Sequence, residues 1–170
     1  MPLTKEHETD FLCAFARTVL AWQQVEGMLS VVFSLLATPE DDKTVAFATI
    51  NAVNGLEIRL DMADAAALVA LMDEKPLLEK WTGLLQRIRD NSVIRNRFVH
   101  LTLVSIENDK GLGELKLMQG MYKKKVSRKS QNHEINLAEI KQHGITFRQL
   151  AQDLGRFVVD LSAWRHLASP

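Results

Sequence analysis

The sequence feature that most constrains the fold is the spacing of apolar residues in the first part of the chain. From about residue 5 to residue 36, apolar side chains recur at steps of three and four, which is the repeat of one helix face. That face comprises Phe11, Phe15, Thr18, Trp22, Val25, Leu29, Val32 and Leu36. The pattern therefore predicts one long amphipathic helix as the first element.

Two shorter helices are predicted next. Residues 38–41 contain a threonine that can cap, a proline suited to the first helical position and two acids suited to the positive end of the helix dipole. A helix is expected to run from there to about Ala52. The turn signal Asn54-Gly55 separates it from a third helix. The inward face of that helix is predicted to comprise Leu56, Leu60, Ala63, Ala67 and Leu71.

A fourth helix is predicted from near Pro76 to near Leu101, and its apolar stripe changes character towards the end. The stripe comprises Leu78, Trp81, Leu85 and Ile88, and continues at the same spacing through Ser92, Arg95 and Val99. A face that begins as core therefore turns polar where Arg95, Asn96 and His100 gather. Asn96 and His100 are four residues apart and share a helix face, with Arg95 beside them.

The pattern after the fourth helix alternates with a period of two, which is typical of a β-strand. Residues 109–111 form a turn signal and residues 114–117 alternate again, so a β-hairpin is predicted. A last helix is predicted from about Leu137, where Asn136 and Glu139 can form a capping box. Its apolar positions stay in one phase across Gly144. The helix is therefore either continuous there, with or without a kink, or broken, with a restart at a second capping box further on.

Together these elements predict an all-α fold, an up-and-down helical bundle with a small β-hairpin inserted before the last helix. At 170 residues, the chain has the length of a single domain with one core. We therefore expect one helical-bundle domain over residues 1–170, with the hairpin and a basic loop at about residues 101–135.

The residues at the end of the fourth helix resemble a known motif. The run R-N-R-F-V-H, from Arg95 to His100, is similar to the R-(polar)-x-x-x-H motif of HEPN domains. These domains are small helical bundles; many are metal-independent ribonucleases, and others are non-catalytic binding modules. The position of the run, at the end of a long amphipathic helix in an all-helical chain, is also similar to that family. The resemblance implies a HEPN-like bundle.

The resemblance also implies roles for the three motif residues. Cleavage of RNA by its own 2′-hydroxyl needs a group that moves a proton near neutral pH and a cation for the phosphate. The implied roles are acid/base for His100, phosphate contact for Arg95 and orientation for Asn96. In the nuclease branch two protomers usually share one cleft, which implies a homodimer. The structural alternative is that His100 and Arg95 only cap the C-terminus of the helix and interact favourably with the negative end of its dipole.

Two charged residues near apolar stripes are candidates to support the motif. Glu26 lies one turn after Trp22, against the stripe of the first helix. An acid that close to a core usually has a cationic partner, because burying it alone is costly. Glu26 is therefore expected either to pair with Arg95 or to reach water at the edge of the stripe. Arg59 lies beside the third helix's stripe and points either to the polar cluster or to solvent.

The net charge is zero, but the charges are unevenly distributed along the chain. Residues 1–80 carry six basic and 13 acidic side chains, and residues 81–170 carry 15 and eight. The second half contains a cationic run comprising Lys123, Lys124, Lys125, Arg128 and Lys129. The run is either a nucleic-acid-binding arm that contacts phosphates or a solvated surface. The two halves either suit a polyanionic partner or pack against each other.

Several classes of protein are disfavoured by the sequence. Cys13 is the only cysteine, so no intramolecular disulfide is possible. The charged N-terminus does not have the pattern of a signal peptide, and the longest apolar run, around residues 30–37, is short for a membrane span. No motif with metal-ligand spacing or phosphate-loop glycines is present, so no metal and no cofactor are expected. We expect a cytoplasmic protein without membrane contact.

The resemblance implies two alternative functions. The first is a HEPN-like protein that binds or cleaves RNA, as a homodimer and without a metal. The second is a non-catalytic HEPN-like interaction module, for example in a toxin–antitoxin or defence system. In that case an antitoxin-like protein is the expected partner.

Overall fold

The computed structural model describes residues 5–38, 42–107, 113–119 and 135–168, except for the side chains of residues 99–102, 105–107, 113, 114, 118, 119 and 168. Within these residues the chain forms five helices and two strands. In order they are α1 Lys5–Ala37, α2 Thr44–Ala52, α3 Leu56–Ala70, α4 Lys75–His100, β1 Leu101–Glu107, β2 Gly113–Gln119 and α5 Leu137–Ala168. The predicted all-α fold with a β-hairpin before the last helix is therefore confirmed.

The start of α2 differs from the prediction. Residues 39–41 lie outside the described residues, but the helix begins at Thr44, after Asp42 and Lys43. The Asp42 carboxylate accepts a hydrogen bond from the Thr44 backbone N–H at 2.9 Å. Its bonds to the Thr44 hydroxyl and backbone hold the pKa of Asp42 below its usual value. The role of accepting a free N–H group at the start of the helix, which was predicted for Thr38, therefore belongs to Asp42.

The inward faces of α3 and α4 follow the predicted spacing closely. Gly55 has a φ of 106°, a left-handed conformation that glycine adopts readily, and α3 begins directly after it. The residues Leu60, Ala63, Ala67, Leu71, Trp81, Leu85 and Ile88 are all buried. Ser92 continues the α4 stripe and is also buried, at 4% exposure. The stripe therefore stays in the interior after its composition becomes polar.

The β-hairpin has a regular antiparallel register in which Leu101 pairs with Gln119 and Glu107 with Gly113. A further segment joins β2, because Leu117 and Ile135 exchange two backbone hydrogen bonds, each of 3.0 Å. Both side chains are buried. The pairing therefore places the start of α5, two residues after Ile135, beside the hairpin.

The last helix is continuous across Gly144. Its N-terminus has the predicted capping box: Glu139 Oε2 accepts the Asn136 N–H at 2.8 Å, and Asn136 Oδ1 accepts the Glu139 N–H at 3.0 Å. At Gly144 the helix lies close to α1, since a Cβ atom there would be 2.7 Å from Thr18 Oγ1. The glycine therefore permits a close helix contact instead of a break.

The chain divides into two compact units, and each is described by itself. Unit 1 comprises the described residues of Met1–Leu20 and Ser92–Thr146, and unit 2 those of Ala21–Asn91 and Phe147–Pro170. The core of unit 1 includes Phe11, Ala14, Thr18, Phe98, Leu117, Ile135 and Ile140. In unit 2, Trp22 packs edge-on against Phe147 at 5.0 Å, and Trp81 stacks on Phe157 at 6.0 Å. The single-domain organisation stays a prediction.

Candidate functional site

The residues of the candidate motif occupy the last turns of α4, within unit 1. Arg95 is half-buried and Asn96 is exposed. Arg95 Nη1 donates a hydrogen bond to Asn96 Oδ1 at 3.1 Å, so two of the three predicted site residues are in direct contact. The amide thereby restricts the orientation of the guanidinium.

His100 is the last residue of α4, and its side chain lies outside the described residues. The helix is regular to that point, so positions 96 and 100 are one turn apart on the same face. The position of His100 in the helix therefore agrees with the prediction. The proximity of its ring to Arg95 and Asn96 stays a prediction.

Among the described side chains of the motif, residues 95–98, Phe98 alone is buried, at 2% exposure. Its ring centroid lies 6.4 Å from that of Phe15 on α1 and 5.5 Å from that of His143 on α5. The His143 ring meets it edge to face, at 77°. The motif turn is therefore anchored to two other helices of unit 1 through one aromatic side chain.

His143 is a residue whose setting the sequence interpretation missed. The two residues before it, Lys141 and Gln142, are polar, but its side chain is half-buried against Phe98. Burial lowers the pKa of His143 below its usual value; Glu139 opposes this shift and Arg97 reinforces it. The signal was present, because His143 follows Ile140 by three residues and precedes Phe147 by four, as an apolar stripe residue would.

The two supporting residues, Glu26 and Arg59, form an ion pair in unit 2. Glu26 Oε2 accepts a hydrogen bond from Arg59 Nη2 at 2.6 Å, and Glu26 Oε1 accepts one from Trp22 Nε1 at 2.5 Å. The side chains are only 15% exposed for Arg59 and 19% for Glu26. Glu26 therefore has a cationic partner, and that partner is Arg59. The alternative prediction, that Arg59 points to solvent, is wrong. The predicted contact of Glu26 with Arg95 would join the two units and stays a prediction.

Unit 2 also contains an open groove of about 390 Å³ between α4 and α5. Two ion pairs cross it, Lys80 to Asp160 at 3.0 Å and Arg87 to Asp153 at 2.8 Å. Burial raises the pKa of Asp153, but hydrogen bonds from Arg87 and Gln149 and the nearby guanidinium charges outweigh it and leave the pKa below its usual value. Because its cations are matched by acids, the groove has no excess charge that would favour an anion.

The cationic run, which comprises Lys123, Lys124, Lys125, Arg128 and Lys129, lies outside the described residues. Its role in nucleic-acid binding stays a prediction. Within the described parts of the chain, no three His, Cys, Asp or Glu side chains are grouped so that they could hold a metal ion.

Comparison with protein-family models, with curated proteins and with solved structures gives no match to this chain. Among the described helices, α1 is long and apolar enough to cross a membrane by length and composition. Its most apolar window is 56% buried, and a core helix or an N-terminal signal sequence passes the same test.

Proposed function

We propose that the chain is a HEPN-like protein that binds RNA and cleaves it without a metal ion. The observation that carries the proposal is the placement of the R-N-x-x-x-H run on the last turns of the 26-residue helix α4. Its first two residues are in contact, and its one described buried residue is fixed to α1 and α5. Charged and amide side chains on an anchored helix end are suited to bind a phosphate group.

Each motif residue has a role in the proposed reaction. The attacking group is the 2′-hydroxyl of the RNA itself, and His100 transfers the proton. Arg95 stabilises the charge that develops on the phosphate, because its planar guanidinium can donate two parallel hydrogen bonds. Asn96 restrains Arg95 through the 3.1 Å bond between them. Within this proposal Glu26 and Arg59 support the structure and do not contact RNA.

The reaction is tested with single-stranded RNA in the presence of EDTA. We expect cleavage to continue, the matching DNA to stay intact and the products to end in a 2′,3′-cyclic phosphate. His100→Ala is expected to lower the rate by roughly 10²–10⁴-fold, and Arg95→Ala by roughly 10²–10³-fold. The matched controls are His166→Ala and Arg97→Ala, which remove an exposed imidazole and an exposed guanidinium outside the proposed set.

The outcomes separate the parts of the proposal. Equal background cleavage by wild type and His100→Ala, with RNA still bound, would remove the enzymatic part and leave an RNA-binding protein. An effect of Arg97→Ala as large as that of Arg95→Ala would show that general charge, and not the motif, is responsible.

The second candidate is a non-catalytic interaction module, favoured by exposed apolar side chains at the end of α3. Leu68 and Val69, in the last turn of α3, are 55% and 75% exposed, and Met72, two residues after the helix, is 68% exposed. Exposed apolar side chains that are close together in this way are of the kind that protein partners cover. An antitoxin-like protein is the proposed occupant in this case. If this second function is correct, Val69→Glu should abolish binding of the antitoxin-like partner, while Arg95→Ala should leave that binding unchanged.

We propose further that the protein is a cytoplasmic homodimer without membrane contact, in which the two α4 ends line a shared cleft. The burial of more than half of the apolar window of α1 supports a soluble protein. Sedimentation at tens of micromolar, compared between wild type and a variant with the exposed Val93 on α4 changed to Glu, tests the assembly. A monomeric wild type would contradict it.

A further inference from the structure

Phe98 occupies a position from which it can control the geometry of the motif. It lies two residues after Asn96 and two residues before His100, and two residues correspond to about 200° of rotation around a helix. Position 98 is therefore on the side of α4 opposite to positions 96 and 100. Anchoring the buried ring of Phe98 fixes the rotation of the last turn, and with it the direction in which the two polar positions point.

Strand β1 begins at Leu101, directly after His100, so no loop separates the end of α4 from the hairpin. The pairing of β1 holds the end of the helix, and the packing of Phe98 holds the buried face of its last turn. The described aromatic contacts of Phe98 come from two directions, Phe15 on α1 and His143 on α5.

Contacts of α5 with α1 hold the backbone around His143 in place. The next residue is Gly144, where α5 lies close to Thr18 of α1. One turn before that point, the Thr18 hydroxyl donates a hydrogen bond to the Ile140 carbonyl at 3.0 Å. The backbone of α5 is therefore attached to α1 on both sides of His143, and the imidazole projects from a fixed position onto Phe98.

We infer that His143 is a positioning residue for the motif, and that it acts through the edge-to-face contact of its ring with Phe98. The consequence for cleavage rests on the proposed function. The consequence for the order of the α4 end does not. Positions 96 and 100 lie on the side of the helix opposite to Phe98, so in this proposal His143 acts on them through the ring of Phe98.

Two substitutions distinguish a role of His143 through the shape of its ring from a role in proton transfer. His143→Phe keeps an aromatic edge against Phe98 and removes the titratable nitrogens, whereas His143→Leu keeps apolar bulk and removes the ring. We expect His143→Phe to cleave RNA within about threefold of wild type. For His143→Leu we expect kcat to fall by up to roughly 10²-fold, with KM nearly unchanged, as for a misplaced reactive group. His166→Ala is the control for loss of an unrelated histidine.

Hydrogen exchange at the backbone amides of residues 95–98 gives a readout that does not depend on activity. We expect these amides to exchange roughly three- to tenfold faster in His143→Leu than in wild type, the effect of losing one aromatic pair, and at the wild-type rate in His143→Phe. The far-UV circular dichroism of each variant reports whether the helices are intact.

The two proposals fail in different ways. If wild type does not cleave RNA, the ribonuclease proposal fails and the exchange rates alone decide the role of His143. If wild type cleaves but His143→Leu matches it in kcat and in exchange, the positioning role is overturned and the ribonuclease proposal remains. If His143→Phe is as inactive as His143→Leu with wild-type exchange, the imidazole takes part directly and the positioning role is also overturned.

Discussion

At the residue scale, Glu26 and Arg59 bring opposite charges into a part of unit 2 that is largely shielded from water. Their attraction offsets the cost of removing both groups from solvent, and Trp22 satisfies the second carboxylate oxygen. One donor is left over, because Arg59 Nε is buried without a hydrogen-bond partner in the described part of the chain. The pair is therefore well matched but incompletely satisfied.

Removing one partner should cost more stability than removing both. We expect Arg59→Met to lower the free energy of unfolding by about 1–3 kcal/mol, because it removes the guanidinium that is hydrogen-bonded to the half-buried Glu26 carboxylate. Adding Glu26→Gln should recover most of this loss, since the amide carries no charge to desolvate. Urea unfolding of the two single variants and the double variant measures the coupling.

The control for this prediction is Arg156→Met. Arg156 also contacts an acid, Asp153 at 3.2 Å, but its side chain is 74% exposed. Exposed pairs contribute about 0–1 kcal/mol, so this change should be nearly neutral. A loss for Arg156→Met equal to that for Arg59→Met would contradict the argument from burial.

The sequence predicted that Glu26 pairs with Arg95 or reaches water, and it did not identify Arg59 as a partner of Glu26. Arg59 is 33 residues away, and its position beside the α3 stripe is equally compatible with solvent and with the interior. The choice depends on how α3 packs, which helical spacing does not specify. For His143 the sequence contains conflicting signals, because its spacing fits the apolar stripe of α5 while the two residues before it are polar.

At the element scale, periodicity predicted the type of each element well because each long helix carries a regular apolar stripe. It predicted ends less well. The start of α2 depends on which acid accepts a backbone N–H group, and Asp42 does so at 2.9 Å. The pairing of Ile135 with Leu117 was not predicted, because a single bridging residue produces no alternation. The continuity of α5 was left open, because a glycine can interrupt a helix or allow a close approach.

The two glycines of α5 provide a direct test of that close approach. At Gly155 no described atom outside the neighbouring backbone of α5 lies within 4 Å of an added Cβ, so Gly155→Ala should stabilise the protein by up to about 1 kcal/mol through helix propensity. At Gly144 the same change places Cβ 2.7 Å from Thr18 Oγ1, whose one proton is shared between the Ala14 and Ile140 carbonyls. Gly144→Ala should therefore destabilise the protein by about 1–3 kcal/mol.

Thermal or urea unfolding of the two alanine variants measures this difference. The comparison is matched, because both substitutions add one methyl group within the same helix. Stabilisation by Gly144→Ala similar to that by Gly155→Ala would show that α5 and α1 are less close at Thr18 than the structure indicates.

At the scale of the whole molecule, the periodicity of apolar residues predicted the class of fold, but it did not predict the division of the chain into compact units. A chain of 170 residues falls within the usual size of one domain. Three long helices, α1, α4 and α5, contribute residues to both units, so the boundary falls within helices. No glycine-rich or proline-rich linker marks it, and helical periodicity continues through it. Local sequence patterns therefore contain no signal for this division.

The uneven charge of the whole chain leads to the last prediction. Residues 81–170 have an excess of seven cations, and five basic side chains belong to the cationic run between Lys123 and Lys129. If that run contacts RNA phosphates, it releases counterions on binding. For single strands, the logarithm of the binding constant then falls with the logarithm of salt concentration by about 0.7 per contact.

Changing Lys123, Lys124, Lys125, Arg128 and Lys129 to glutamine should therefore weaken RNA binding and flatten its salt dependence. The slope should fall by about 0.7 for each phosphate contact that is lost, while the cleavage rate of bound RNA should stay close to that of wild type. Fluorescence anisotropy with labelled RNA at several salt concentrations measures the slope, and single-turnover kinetics at saturating protein measure the rate. The matched control neutralises the five cations Lys5, Arg17, Lys43, Lys75 and Lys80 in the acidic half. An equal change of slope in both variants would show that net charge alone drives binding, and an unchanged slope in the first would remove the run from the RNA interface.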